Sequence, residues 1–248
     1  MNVQATLEKL QELKLWGFLR SYKETMETGL IRQFTSDELV SHMVQAEWDD
    51  RSNNKLKRLI HNARFRYKAG FEEIDYTVQR NLDKNMMLRF SSCHWISNRQ
   101  NIIITGSTGS GKSFVASAIG HQACINNYKV IYQNCSKLFD WLKTTKADGS
   151  YIKEMIKIEK TDLLILDDFG LKPFDSQQRL MLLEILEDRH GKSSTIISSQ
   201  LPVDKWFDLI GEPTIADAIL DRMVHSSHRI ELKGESMRKL KKMVVEKV

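Results

Sequence analysis

The chain has 248 residues, of which 41% are hydrophobic and 28% charged, and its formal net charge is +5. A folded chain of this length buries roughly three quarters of its unfolded surface and needs no disulfide or metal staples, and the balance of apolar to charged residues excludes disorder. With 3 Pro and 12 Gly, collagen-like and Pro-rich architectures are excluded as well.

The longest apolar runs, such as Leu163 to Leu166, are strand-sized and far short of the ~18 to 20 residues that span a bilayer. The opening MNVQATLEKLQELKL mixes acids and bases and lacks the basic-then-apolar order of a signal peptide. The cysteines are Cys93, Cys124 and Cys135, an odd set at the spacing of no zinc site. A reduced, cytoplasmic setting without membrane attachment is the expectation.

Residues 1–90 read as helical. Leu7, Leu10, Leu13 and Phe18 recur at helical spacing, Thr6 is a candidate cap, and Gly29 can close a second helix. Gly17 sits awkwardly inside this pattern. Trp16, Phe18 and Tyr22 are expected to build the core of a small domain. Ser36-Asp37-Glu38 starts another helix through Leu39, Met43 and Ala46. The pattern changes at Asn101. Strands are expected at 102–105, 130–132, 163–166, 195–198 and 229–232, with helices at 113–125, 136–143, 151–159 and 176–190 and two short helices before the last strand. Strand–helix alternation implies a parallel sheet covered on both faces. The expected organisation is a helical N-terminal domain over 1–80, a linker over 81–98 and an α/β domain over 99–248.

Gly106-Ser107-Thr108-Gly109-Ser110-Gly111-Lys112-Ser113 fits G-x-x-x-x-G-K-[ST] between an expected strand and an expected helix. Glycines let successive N–H groups curl inward around a phosphate, and the helix adds its positive N-terminal end. Lys112 can reach the β and γ phosphates of ATP, and the Ser113 hydroxyl can ligate Mg²⁺. Leu163-Leu164-Ile165-Leu166-Asp167-Asp168 places a central strand with two carboxylates at its C-terminal end, the edge where open α/β sheets bind ligands. Asp167 suits the metal, held through water, and Asp168 the attacking water. Ser198, Ser199 and Gln200 end another strand; lying between the first two, it would aim a polar group at the γ phosphate.

Positive charge is clustered. From Arg51 to Gly70 there are seven bases (Arg51, Lys55, Lys57, Arg58, Arg64, Arg66 and Lys68) and no acid. Taken as one helix at 100° per residue, this stretch puts Leu56, Leu59, Ile60, Ala63 and Tyr67 on an apolar stripe. The bases fall on two further stripes with Phe65 between them. Basic rows suit phosphate contacts, and an exposed Phe65 could stack or wedge against bases of duplex DNA. Arg238, Lys239, Lys241 and Lys242 form a second basic cluster. His225 and His228, three apart, are expected to lack an acidic or Cys partner and read as packing or phosphate neighbours rather than metal ligands.

The P-loop, the Asp-Asp pair and the polar strand end, in that order, resemble an AAA+ ATPase of the DnaC-type helicase-loader group, and most closely the IstB-like insertion-sequence helper ATPases. FRYKAGFEEIDY (Phe65 to Tyr76) and the tail carry the likeness further: Ala218 to His225, His228-Arg229-Ile230 and Gly234 to Arg238. It extends over nearly the whole chain. The resemblance implies a five-stranded AAA+ sheet with a small all-α N-terminal domain and no separate lid domain. It implies that Arg222 is an arginine finger reaching a neighbour's ATP and that Arg238 is a second nucleotide sensor. Gln200 stands where many relatives carry a sensor Asn, and Asp168 where most AAA+ ATPases carry Glu, which implies slow hydrolysis. By its own position Arg222 can equally be a cation ending a helix.

The function implied is an ATP-dependent DNA-binding regulator of transposition. It would self-assemble into a homo-oligomer on duplex DNA, engage the transposase of the same element and be reset by hydrolysis. A helicase loader shares every ATPase motif and stays open as the alternative. A small-molecule P-loop kinase and a DNA scaffold with a vestigial site are more distant rivals.

Overall fold

The computed structural model describes residues 3–225, 227–234 and 236–237. The apolar spacing of the N-terminal stretch produces α1 (Val3–Glu12), α2 (Trp16–Glu27) and α3 (Ser36–Ala63). Two compact units divide at Met1–Arg58 and Leu59–Val248, earlier in the chain than the composition suggests.

In the first unit α1 packs on α2, and Gly17 of α2 meets the α3 backbone at Ala46 and Glu47. Gly17, Ser21 and Thr25 are buried at i, i+4, i+8. Leu10, Leu19 and Met43 complete the interior. Trp16, expected in this core, is 51% exposed, and Phe18 and Tyr22 are half-buried. At Gly17 the α3 backbone comes too close for any side chain. Glu47 of α3 accepts hydrogen bonds from the Gly17 and Phe18 amides at 2.9 and 3.1 Å, so it satisfies orphan donors at the α2 N-terminus. Burial opposes its charge, yet the bonds from Arg51 and these two amides hold the Glu47 carboxyl below its ordinary range.

The second unit carries α4 (Lys84–Ser91), α5 (His94–Ser97), β1 (Asn101–Gly106), α6 (Lys112–Ile125), β2 (Val130–Asn134), α7 (Cys135–Asp148), α8 (Tyr151–Glu159), β3 (Leu163–Phe169), α9 (Ser176–Arg189), β4 (Ser194–Ser199), α10 (Trp206–Ile210), α11 (Pro213–Val224) and β5 (Ser227–Leu232). The expected linker 81–98 is therefore mostly α4 and α5. Met87, Phe90, Trp95 and Ile96 are buried there, and the Phe90 ring packs edge-on against Trp95 and His228. Those apolar contacts draw the segment into the sheet unit.

The five strands are all parallel in the order β2-β3-β4-β1-β5. This is the five-stranded, helix-flanked sheet that the resemblance implies. Leu163, Leu164, Ile165 and Leu166 are each 0% exposed, as a parallel strand covered on both faces requires. On one side Phe139, Phe169, Phe174 and Trp206 form the centre of the core, with Phe169 and Trp206 ring centroids 4.6 Å apart. Arg189 is buried among carbonyls of Ile158, Thr161 and Ser194 and the Thr195 hydroxyl, tying α8, α9 and β4 together. Cys93, Cys124 and Cys135 are free and buried; burial raises the Cys124 thiol pKa to about 12, so it is unreactive. Among the described residues no helix is long and apolar enough to cross a membrane.

A Cβ on Gly17 would lie 2.3 Å from the Ala46 carbonyl oxygen and 2.7 Å from Glu47 Cα. Gly17→Ala is expected to destabilise the protein by about 1–3 kcal/mol through overpacking, although Ala gains roughly 1 kcal/mol over Gly in an open helix interior. Thermal unfolding checks this: the midpoint should fall, and a raised midpoint would contradict the close approach of α2 and α3.

Candidate functional site

The loop between β1 and α6 turns on three glycines in left-handed or related backbone regions, Gly106 at φ +148°, Gly109 at +84° and Gly111 at +97°. A side chain at these positions would meet neighbours at once: a Cβ on Gly106 lies 2.3 Å from the Leu232 carbonyl oxygen, and one on Gly111 lies 2.6 Å from Arg80 Nη1. The loop is thus shaped so that backbone alone lines its concave side. Ser110 Oγ is buried there without a protein hydrogen-bond partner. Lys112 is 6% exposed, and its ammonium donates to the carbonyls of Gly106 and Ser107 at 2.8 and 2.9 Å. Burial pushes the Lys112 pKa down, while Asp167 and Asp168 pull it up. A buried cation on neutral carbonyls, an orphaned hydroxyl and inward-turned backbone fit a phosphate chain.

At the end of β3, Asp167 is 0% exposed. One of its oxygens, Oδ1, accepts from Ser113 Oγ at 3.0 Å and from the Ser198 hydroxyl of β4. The other, Oδ2, accepts from the Tyr132 phenol of β2 and from Arg66 Nη1 at 3.2 Å. Burial first, and then the Asp167 charge, push the Tyr132 phenol well above its ordinary range, which keeps it a donor. Asp168 Oδ2 accepts from Arg66 Nη1 and from Asn134 Nδ2, both at 3.0 Å.

Successive residues of a regular strand point to opposite faces. Here both carboxylates reach one guanidinium nitrogen because the β3–β4 register breaks between Leu166 and Phe169 and Asp168 takes φ +56°. The bulge re-aims its side chain, a common device beside active sites. Such a backbone is uncommon for any residue but glycine, and Asp tolerates it better than most.

The structure brings the loop residues, Asp167, Asp168 and Gln200 close together. β4 lies between β1 and β3, and Gln200, just past its end, accepts from the Thr108 hydroxyl of the loop at 2.7 Å. A cleft of about 400 Å³ opens beside the loop, lined in part by Ser107, Gln200, Glu231, Lys233 and Gly234. Magnesium fits Ser113 and Asp167, a hydroxyl and a carboxylate side by side, the sparse oxygen set this ion uses with phosphates. Arg238 lies outside the described residues.

Arg222 stands elsewhere. It sits in the last turn of α11, pairs with Glu187 of α9 and donates to the Ala218 carbonyl at 2.7 Å. Its own carbonyl accepts from Asn101 Nδ2 at the start of β1. The loop begins at the other end of that strand, roughly 16 Å away at strand rise. Contrary to expectation His225 has an acidic neighbour, Asp221 at 3.2 Å one helical turn before it, while His228 contacts Gln100 at 2.9 Å.

The basic stretch departs from expectation. α3 ends at Ala63, where Arg64 turns to φ +56°. Arg51, Lys55, Lys57 and Arg58 are exposed on the helix, Arg51 paired with Glu47 at 2.6 Å, and Arg64 and Lys68 are exposed beyond its end. Phe65 is not an exposed wedge: it is half-buried, edge-on to Tyr132, and its ring closes on Gly120. Tyr67 packs against Phe114. These aromatic contacts outweigh continued helix, so the three-stripe wheel does not extend past Ala63, and Arg66 turns to the aspartates. The residues that sequence reasoning missed are Tyr132 and Asn134, the latter opposite Asp167 in the β2–β3 register, and Arg80. Arg80 is 4% exposed and donates to the Ser110 and Asp75 carbonyls at 3.3 and 3.0 Å, supporting the loop from beneath. Only the polar end of β2 hinted at any of them.

Comparison with known proteins agrees with this geometry. Residues 8–244 match the family described as IstB-like ATP binding protein. An insertion sequence ATP-binding protein of Sinorhizobium fredii is 42% identical over 239 residues, 96% of this chain and 98% of its own. Among solved structures, DnaI is similar with a TM-score of 0.55 at 19% identity, covering 71% of this chain and 94% of that one. The DnaC helicase loader is similar at 0.50 and 18%, covering 71% and 99%. The structural likenesses show the AAA+ fold, and the family match shows that this chain belongs to the IstB-like ATP-binding proteins of insertion sequences.

Proposed function

We propose that the protein is a slow ATPase that assembles on duplex DNA in its ATP-bound form, engages the transposase of its insertion sequence and is released by hydrolysis. The observation that carries the reading is the joined arrangement of loop and carboxylates: Ser113, at the foot of the phosphate loop, hydrogen-bonds Asp167, and Asp168 stands next to it on a bulge. A terminal phosphoryl would touch all of these at once.

In this reading Lys112 transfers its ammonium from the Gly106 and Ser107 carbonyls to phosphate oxygens. Ser113 and Asp167 would hold magnesium, which when bound would neutralise phosphate charge. Asp168 orients the attacking water and accepts its proton. The water oxygen bonds to the γ phosphorus as the bond from that phosphorus to the bridging oxygen breaks, giving inorganic phosphate and ADP, which leaves with the electron pair. Gln200, at Thr108, reports on the γ position. Arg222 is at the wrong end of β1 to serve its own loop, which supports a role at the ATP of a neighbouring subunit, where a guanidinium stabilises charge on the transferred group. Arg238 keeps its proposed sensor role from the resemblance.

For DNA, the exposed Arg51, Lys55, Lys57 and Arg58 on α3, together with Arg64 and Lys68, are proposed to contact phosphates. Phe65 is proposed to act only through the packing of the segment that carries them. The relatives' insertion-sequence names and near-complete coverage favour transposition over helicase loading, for which the structural likeness speaks to fold alone.

Size analysis of the protein with a random duplex and ATP, ADP or no nucleotide tests the reading. A large complex with ATP alone is expected, and equal complexes in all three conditions would contradict it. Lys112→Ala is expected to lose nucleotide binding and, with it, the large complex. Asp168→Asn should retain ATP binding within about twofold while hydrolysis, read as phosphate release, falls about a hundredfold or more. Arg222→Ala should leave ATP binding by the isolated chain intact but reduce hydrolysis in the assembly by at least about tenfold. Full hydrolysis by that variant would remove the proposed role in a neighbour's site.

A further inference from the structure

Arg66 was expected to face DNA, yet its guanidinium is spent on the catalytic carboxylates. One nitrogen, Nη1, lies 3.2 Å from Asp167 Oδ2 and 3.0 Å from Asp168 Oδ2. We propose that Arg66 is an internal stand-in for the divalent cation: it neutralises Asp167 and Asp168 until magnesium displaces it, and so sets how much magnesium the nucleotide site demands. This rests on reading the loop and the aspartates as that site.

The charge balance argues first. A wholly buried carboxylate needs compensation. Of the hydrogen-bond partners of Asp167, three are neutral hydroxyls, from Ser113, Ser198 and Tyr132, and one is a cation, Arg66. Lys112 gives its hydrogen bonds to carbonyls instead. Arg66 is thus the positive group in contact with both acids.

Placement argues second. The segment that carries it is pinned on either side. Phe65 sits edge-on to Tyr132 and against Gly120, and Tyr67 against Phe114; the Arg66 guanidinium lies 5.7 Å over the Tyr67 ring. A side chain between two anchored aromatics is aimed, whereas a solvated surface arginine samples many rotamers.

Mobility argues third. The Arg66 side chain is 41% exposed, while Asp167 is 0% exposed. The guanidinium can swing into water at low cost, and the carboxylate cannot follow. A divalent ion and a guanidinium crowded on the same two acids repel, so the arrival of the doubly charged ion releases the arginine. The arginine therefore holds the two carboxylates together and also competes with the ion for them.

The test uses the full chain with Arg66→Gln and Arg66→Lys, each checked for folding by circular dichroism. Binding of a fluorescent ATP analogue is titrated against Mg²⁺, and binding of Mn²⁺ without nucleotide is read by electron paramagnetic resonance. For Arg66→Gln the half-saturating Mg²⁺ is expected to fall about three- to tenfold, and Mn²⁺ binding to tighten in step. Lysine offers one point charge in place of a planar fork, so Arg66→Lys should fall between, by about twofold; it carries the test if the glutamine variant does not fold. An unchanged or raised metal requirement in the folded variants would overturn the proposal and leave Arg66 as a structural brace. Failure of the wild type to bind the nucleotide at any Mg²⁺ would instead refute the nucleotide reading, while the Mn²⁺ measurement still decides the role of Arg66.

Discussion

A carboxylate without solvent, Asp167 at the end of β3, is the constraint around which the second unit is arranged. An anion in that position is tolerable only if several donors converge on it, and they come from separate parts of the chain: Ser113 opening α6, Tyr132 in β2, Ser198 in β4 and Arg66 beyond α3. The strand order puts β2 and β4 on the two flanks of β3, which is what lets both reach it. The phosphate loop is tied to the same point through Ser113. Charge at one atom pair thus joins fold and chemistry.

The remainder of the unit keeps that point in register. Apolar burial on β3 fixes the strand, the bulge brings Asp168 beside Asp167, and Asn134 holds the second carboxylate while its own oxygen caps α7 by accepting from the Lys137 amide. Arg80 braces the loop. Arg222 lies at the opposite end of β1. There its guanidinium is held by Glu187 and the Ala218 carbonyl, apart from the loop.

Much of this was legible in the sequence because a few residue types have narrow uses. Glycines at 106, 109 and 111 with Lys112 and Ser113 specify a loop whose backbone geometry few other residues can adopt. The β-branched and Leu-rich runs marked all five strands, with ends extended by one to a few residues. Gly17, a misfit in a helical pattern, is explained by the Ala46 carbonyl that faces it. What stayed hidden depended on tertiary contacts. A helical wheel over 51–68 assumes that the helix continues; rings at Phe65 and Tyr67 find partners in Tyr132 and Phe114 and end it at Ala63. Trp16 is exposed, and its neighbour Gly17 is the residue that meets α3. The bulge at Asp168 has no signature, since aspartate is ordinary at a strand end, and the turn of Arg66 from solvent to the aspartates follows from both.

The central claim is that this loop and Asp167 form a site for nucleoside triphosphate that registers the terminal phosphoryl group. Isothermal titration of the full chain with ATP and with ADP, each in the presence of Mg²⁺, tests it most directly. The account predicts saturable binding of one nucleotide per chain, with ATP bound more tightly than ADP. Absence of heat with either nucleotide, or binding that does not distinguish the two, would contradict it.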